Sequence, residues 1–189
     1  MNEVLRCIYE RSSVRKYKSD IVSDADIKEI LNAGIHAPSG MNAQGLRFVI
    51  IQNTDMIAEL NRVSKDLYLK NSAATGGGHP VLDKICSNPK TDLFHGASTL
   101  IFTFAAPDTA TPTEDGALAV ENMMLAAHSM GYGTCFIGLA APLGYYPTFR
   151  EESEVPDDHM FLSCIVLGVP DGKPEVHPKE DMKILSWTK

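Results

Sequence analysis

The chain has 189 residues, 44% hydrophobic and 22% charged, with a net charge of −7 at pH 7. These proportions exclude a disordered or low-complexity chain, and the acidic balance opposes contact with phosphate backbones, which excludes nucleic acid as a partner. One domain is expected, and because the charged N-terminus lacks a signal-peptide core and no apolar run reaches membrane-spanning length, a soluble, cytoplasmic protein with no membrane partner is expected too.

In chain order, Val4, Leu5 and Ile8 fall on one side of a short first helix. A second helix opens at Ser23 with Asp26 three residues on, an approximate capping box. Ile27, Ile30, Leu31, Gly34 and Ile35 then keep the helical spacing. Pro38 ends that helix, because it disfavours helical geometry at Ala37 and donates no backbone bond. The β-branched run at 46 to 52, LRFVIIQ, predicts a strand covered on both faces. Asp55 begins another amphipathic helix with Met56, Leu60, Val63 and Leu67 on its stripe.

Residues 71 to 92 contain TGGGHP and SNPKTD, show no sustained period, and are expected to be a long loop, either a binding loop or a flexible one. A second strand is predicted at 98 to 106 and a long helix from about Thr113 to Met130, closed by Gly131. TCFIG and FLSCIVLG supply two more strands, with a small helix near YYPTFREE. From Pro170 the tail is punctuated by Pro174 and Pro178 and reads as an extended arm ending in the apolar ILSW. Helices interspersed with strands give an α/β or α+β domain, and periodicity alone does not fix strand direction.

Three groups of residues carry chemistry. In RSSVRKY, Arg11 and Arg15 can fork onto a phosphate while Ser12 and Ser13 donate through hydroxyl and backbone groups; a solvated basic turn is the other reading. In APSGMNAQG, Ser39, Asn42 and Gln44 surround Gly40 behind a stiff Pro38 and suit the polar edge of a heterocycle, or cap their own turn. GYGTCFIG begins like a dinucleotide fingerprint, but Phe136 stands where the third glycine belongs and the segment follows a helix, which rejects a Rossmann site. It leaves a backbone of close approach suited to a flat ligand.

The four cysteines, Cys7, Cys86, Cys135 and Cys164, are far apart and form no C-x-x-C, and the six histidines show no metal-ligand pairing. His128, Met123, Met124 and Met130 read as core or subunit packing. There is no nucleophile elbow, Walker loop or H-E-x-x-H. With no nucleophile and base in view, no metal site and no side chain assigned to catalysis, redox or transfer chemistry has to come from a bound cofactor.

The order of the three groups, R-S-S-x-R-x-Y, then A-P-S-x-x-N-x-Q, then a long helix leading into G-x-G-T-C-F-I-G, resembles the FMN-dependent nitroreductase family over almost the whole chain. The resemblance implies an α+β fold, a central antiparallel sheet flanked by helices. It implies one FMN-binding domain over 1–189, with about 170–189 as a C-terminal arm exchanged in a homodimer that holds FMN at the subunit interface. Arg11, Ser12, Ser13 and Arg15 would hold the FMN phosphate and ribityl chain. Pro38, Ser39, Gly40, Asn42 and Gln44 would line the flavin from the other subunit. Phe136, Ile137 and Gly138 would run along its reactive face, a backbone N–H near Gly138 lying close to N5.

Two departures stand out: the family commonly continues its second motif as Q-P-W where this chain has Gln44, Gly45 and Leu46, and the cationic pair expected of the arm is reduced to His177 and Lys179. The implied activity is hydride transfer from NADH or NADPH through FMN to an electron-poor acceptor such as a nitroaromatic or quinone. A non-catalytic flavin carrier or sensor is the alternative, and a cofactor-free dimeric interaction protein a third.

Overall fold

A computed structural model describes residues 1–174 and 178–189. Helix α1 (Glu3–Glu10) is capped by Asn2, whose side chain accepts from the Leu5 N–H at 2.9 Å. Helix α2 (Asp24–Ile35) starts as the capping pattern predicts: Ser23 Oγ accepts from the Asp26 N–H at 3.1 Å and donates to the Asp26 carboxylate at 2.7 Å. There follow β1 (Leu46–Ile51), α3 (Thr54–Ala74), α4 (Pro80–Ser87), β2 (Thr99–Ala105), α5 (Pro112–Ser129), β3 (Gly133–Phe136), α6 (Pro147–Glu152) and β4 (Met160–Gly168). The four strands form one sheet in the order β1-β2-β4-β3, with every neighbouring pair antiparallel.

Strand β2 is buried along its whole length because both sheet faces are covered. Its alternation divides the interior. Leu100, Phe102 and Phe104 face one core with Cys164, Val166 and Phe149, while Ile101 faces the other with Ile27, Ile30, Met123 and Leu167. Phe102 and Phe149 pack with ring centroids 4.6 Å apart. Truncating Phe102 to alanine would cost about 3–5 kcal/mol, the range for an aromatic removed from a closed core.

Strand β1 departs from expectation. It is the sheet's edge, with Arg47 and Ile50 exposed and only Ile51 buried. Its apolar composition matches that of a doubly covered strand, but covering depends on neighbours that local sequence does not specify. The segment 71–92 also differs from a plain loop. Helix α3 continues to Ala74, and α4 forms because Pro80 is preset for a first helical position while His79 Nδ1 accepts from the Val81 N–H at 3.3 Å. Eight residues are too few for periodicity to register.

The stretch after α4 is held rather than loose. Lys65, buried, donates to the Thr91 carbonyl at 2.9 Å, and Asn61 Oδ1 accepts from the Leu93 N–H at 2.9 Å. A 3-10 run at Gly138–Tyr145, with no sequence signal of its own, joins β3 to α6. Ile35, expected on the buried stripe of α2, is 57% exposed. The tail from 178 to 189 is exposed and carries no helix or strand.

Candidate functional site

The first basic group is laid against the free side of β3. Ser13 pairs in parallel with Thr134, the Val14 N–H donates to the Thr134 carbonyl at 2.9 Å, and the Lys18 N–H donates to the Val169 carbonyl at 2.9 Å. This pairing brings RSSVR alongside the strand that ends in Phe136, Ile137 and Gly138, so the first and third groups share one corner of the molecule. Phe136 is exposed and Ile137 buried, with the Ile137 N–H committed to the Cys164 carbonyl at 2.9 Å. Gly138 is exposed and opens the 3-10 run, so its own N–H has no partner within that run.

In this corner, polar atoms lack partners. Arg11 Nε and Nη1 and Ser12 Oγ are buried without a hydrogen bond, although Arg11 Nε lies 3.5 Å from the half-exposed Glu121 carboxylate. Buried donors are almost always satisfied in native proteins, and an unsatisfied one costs about 1–3 kcal/mol. Arg11 and Ser12 line a cavity of about 180 Å³ with His128, Tyr132, Thr134 and Lys173. Two guanidinium nitrogens without a hydrogen bond, a hydroxyl and a lysine around one cavity are the donor set an anionic oxygen cluster requires, so the residues present fit the phosphate of FMN. Ser13 is half-buried and Arg15 exposed at the rim of an adjoining cavity that Lys173 also lines.

His95, half-buried on the loop before β2, stands near Arg15. Burial holds its imidazole below the ordinary histidine range; the Asp92 carboxylate opposes that shift and the Arg15 guanidinium adds to it.

The second group lies elsewhere. Asp115, in the first turns of α5, accepts from the Gly40 N–H at 3.0 Å, whereas Arg11 meets the same helix at Glu121. Six residues of helix separate those contacts, about 9 Å along the axis and roughly 120° around it. The cavity beside the second group, about 240 Å³, is lined by Pro38, Ser39, Gln44, Arg47 and Asp115 and shares no residue with the one at Arg11. One chain therefore keeps the two groups at separate cavities.

The 40–45 loop is strained and clamped. Met41, Asn42 and Gln44 have φ of 54°, 55° and 52°, the left-handed region that costs a non-glycine residue about 1–2 kcal/mol. The Asn42 N–H donates to the Ser39 carbonyl at 2.9 Å and the Gln44 N–H to Ser39 Oγ at 3.3 Å. Gly40 and Gly45 press on the segment before α5 so closely that an added Cβ would stand 2.2 Å from Thr111 Oγ1 and 2.0 Å from Thr109 Oγ1. Thr109 thus leaves no room for a side chain at position 45.

Residues 8–169 match the model of the nitroreductase family. The chain belongs to the nitroreductase family. A Bacteroides fragilis nitroreductase crystallised with bound FMN superposes with a TM-score of 0.82 at 28% identity, over 100% of this chain and 98% of that one. An Archaeoglobus fulgidus protein that carries the name NADH dehydrogenase/NAD(P)H nitroreductase is 26% identical over 96% of this chain and 93% of its own. The NADPH-flavin oxidoreductase of Vibrio harveyi is 25% identical over 95% of this chain and 70% of its own.

Against the nitroreductase pattern, His177 lies outside the described residues and Lys179 is exposed on the arm. The lysine that reaches the Arg11 cavity is Lys173, in the turn after β4. Sequence reasoning missed it because a lone lysine between glycine and proline carries no signal until the turn folds back. His128 is half-buried on that cavity's wall, whereas Met123 and Met124 are core residues as read. Asp115, Thr109 and Thr111 were also missed; a helix-start aspartate reads as an ordinary cap.

Proposed function

We propose that this protein is an FMN-dependent oxidoreductase that passes hydride from NADH or NADPH through FMN to an electron-poor acceptor such as a nitroaromatic or quinone. The observation that carries the reading is the set of buried, unpartnered donors at Arg11 and Ser12 beside Lys173. Bound FMN supplies the hydride chemistry. The chain's residues bind it and set its surroundings.

Arg11 and Ser12, with Ser13, Arg15 and Lys173, hold the phosphate and ribityl chain. Gly138 offers its backbone N–H beside Phe136 and Ile137, and because the Ile137 side chain turns inward, only its backbone faces the flavin. Pro38, Ser39, Gly40, Asn42 and Gln44 come from a second copy, since one chain keeps the two half-sites on different sides of α5. Apolar residues of α1, Val4, Leu5 and Ile8, and of the arm, Ile184, Leu185 and Trp187, are 40% exposed or more. A homodimer covers them. Lys179 lies on the arm that crosses to the partner in this reading. Among the described residues no helix is long and apolar enough to cross a membrane; a cytoplasmic location is part of this proposal.

The test is a visible spectrum of the purified protein, repeated with NADH or NADPH without oxygen and then with a quinone added. A flavin spectrum that bleaches with one nucleotide and recovers with quinone is expected. Bound flavin that no nucleotide reduces would assign a carrier or sensor instead, and protein unable to take up FMN would end the flavin reading.

A further inference from the structure

We infer that Asp115 is a positioning residue of the flavin site, holding the strained 40–45 loop in the shape that presents Asn42 and Gln44 to the cofactor; this rests on the flavin reading above. Its Oδ1 accepts from the Gly40 N–H at 3.0 Å and from Thr111 Oγ1 at 2.8 Å. The first bond fixes the residue at which the loop leaves its extended path, immediately before Met41 and Asn42 turn left-handed. The second ties the same oxygen to the threonine against which Gly40 packs. A loop with three left-handed non-glycine residues relaxes unless its surroundings over-determine it. Asp115 supplies the side-chain acceptor at one end, and the Ala106 N–H, donating to the Gly45 carbonyl at 2.9 Å, closes the other.

Packing alone does not account for a polar acceptor at this buried position. Asp115 is 2% exposed, and its Oδ2 has no hydrogen-bond partner. Burying a polar side chain with one oxygen unpartnered is costly, so what the position gains lies in the two bonds that Oδ1 accepts. Asp115 also lines the cavity that Ser39 and Gln44 wall, so it faces the residues it positions rather than the general core.

The test compares Asp115→Ala and Asp115→Asn in the full-length protein, measuring FMN affinity by flavin fluorescence and thermal unfolding without FMN. The asparagine variant keeps an oxygen for the Gly40 N–H, so its affinity stays within about threefold, while the alanine variant weakens by roughly 10- to 100-fold, the scale of a part-buried N–H left without its acceptor. Equal affinity in Asp115→Ala and wild type overturns the inference, as does an equal loss in both variants.

Should Asp115→Ala not fold, Gly40→Ala displaces the same anchor by its clash with Thr111, and Gly40→Ala combined with Thr111→Ala restores room. Loss of affinity in the single variant and recovery in the double supports the inference; wild-type affinity in the single variant overturns it. Wild-type protein that binds no FMN would instead fail the underlying reading, before any variant is made.

Discussion

The Arg11–Arg15 corner and the Gly40–Gln44 loop belong to one proposed site but are built in opposite ways. The corner has relaxed backbone, bridged to β3, and unsatisfied side chains: Arg11 Nε and Nη1 and Ser12 Oγ wait for acceptors. In the loop, the Gly40, Asn42, Ala43 and Gln44 N–H groups all have partners, and three residues are left-handed. The corner stores its cost as unmet hydrogen bonds, which a ligand removes on binding. The loop stores its cost as torsional strain, which a ligand does not relieve. A corner of the first kind captures charge; a loop of the second kind is preorganised to orient what has been captured.

The contrast is broken most forcefully at the corner. Arg11→Ala removes two buried unpartnered donors, so FMN affinity is expected to fall roughly 100-fold, the scale of charge-assisted bonds to a phosphate. Thermal stability of the FMN-free protein should hold or rise, since only a half-exposed ion pair to Glu121, worth under about 1 kcal/mol, is lost with them. A flavin titration and a melting curve on the same sample check both halves, and a folded variant with wild-type affinity would remove Arg11 from the phosphate site.

At the loop the expected effect has the reverse form. Gly45→Ala drives a Cβ into Thr109, costing about 1–3 kcal/mol of stability without any ligand present. A lowered melting temperature in the FMN-free protein is therefore expected, and Thr109→Ser, which leaves Oγ in place, should not restore it while Thr109→Ala should. An unchanged melting temperature would mean that the loop is not clamped there.

These two regions also mark what the sequence disclosed and what it withheld. Ser23, Asp26 and Pro38 placed helix ends correctly, and the apolar run of β2 read as a buried strand because capping and burial patterns are local. Arg11, Ser12 and Ser13 stood out as a candidate group because cations and hydroxyls crowd seven residues of an acidic chain. Antiparallel pairing, the edge position of β1 and the α4 helix were not readable from periodicity; they depend on which elements meet. Asp115 bonds Gly40, 75 positions away in sequence, and Lys173 shares a cavity with Arg11, 162 positions away. No single-chain pattern encodes such a meeting.

A smaller change sharpens the strain argument. Met41 has φ of 54° and is 94% exposed, so Met41→Gly removes a left-handed penalty and little packing. A net gain of about 0.5–1 kcal/mol is expected after glycine's greater unfolded freedom is set against it. Denaturant unfolding of the FMN-free protein measures it, and a loss of stability would show that the loop's shape is intrinsically favoured rather than imposed.

The smallest expected effect asks whether His95 belongs to the corner. Its native pKa is lowered, chiefly by burial and also by Arg15, relative to about 6.5 in the unfolded chain. Between those two values the unfolded state binds more protons, so stability is fully present above about 6.5 and declines as the pH falls through that value toward the native pKa. His95→Asn, which tolerates the residue's φ of 59° as asparagine generally does, should flatten this acid limb while leaving stability at pH 8 nearly unchanged. FMN phosphate bound near Arg15 brings negative charge to the same corner, raising the native pKa and flattening the limb in the wild type as well. Melting curves at pH 5.5 and 8, with and without FMN, separate the cases. A limb that the asparagine variant flattens but FMN does not would place His95 outside the reach of the phosphate and confine the corner to Arg11, its serines and Lys173.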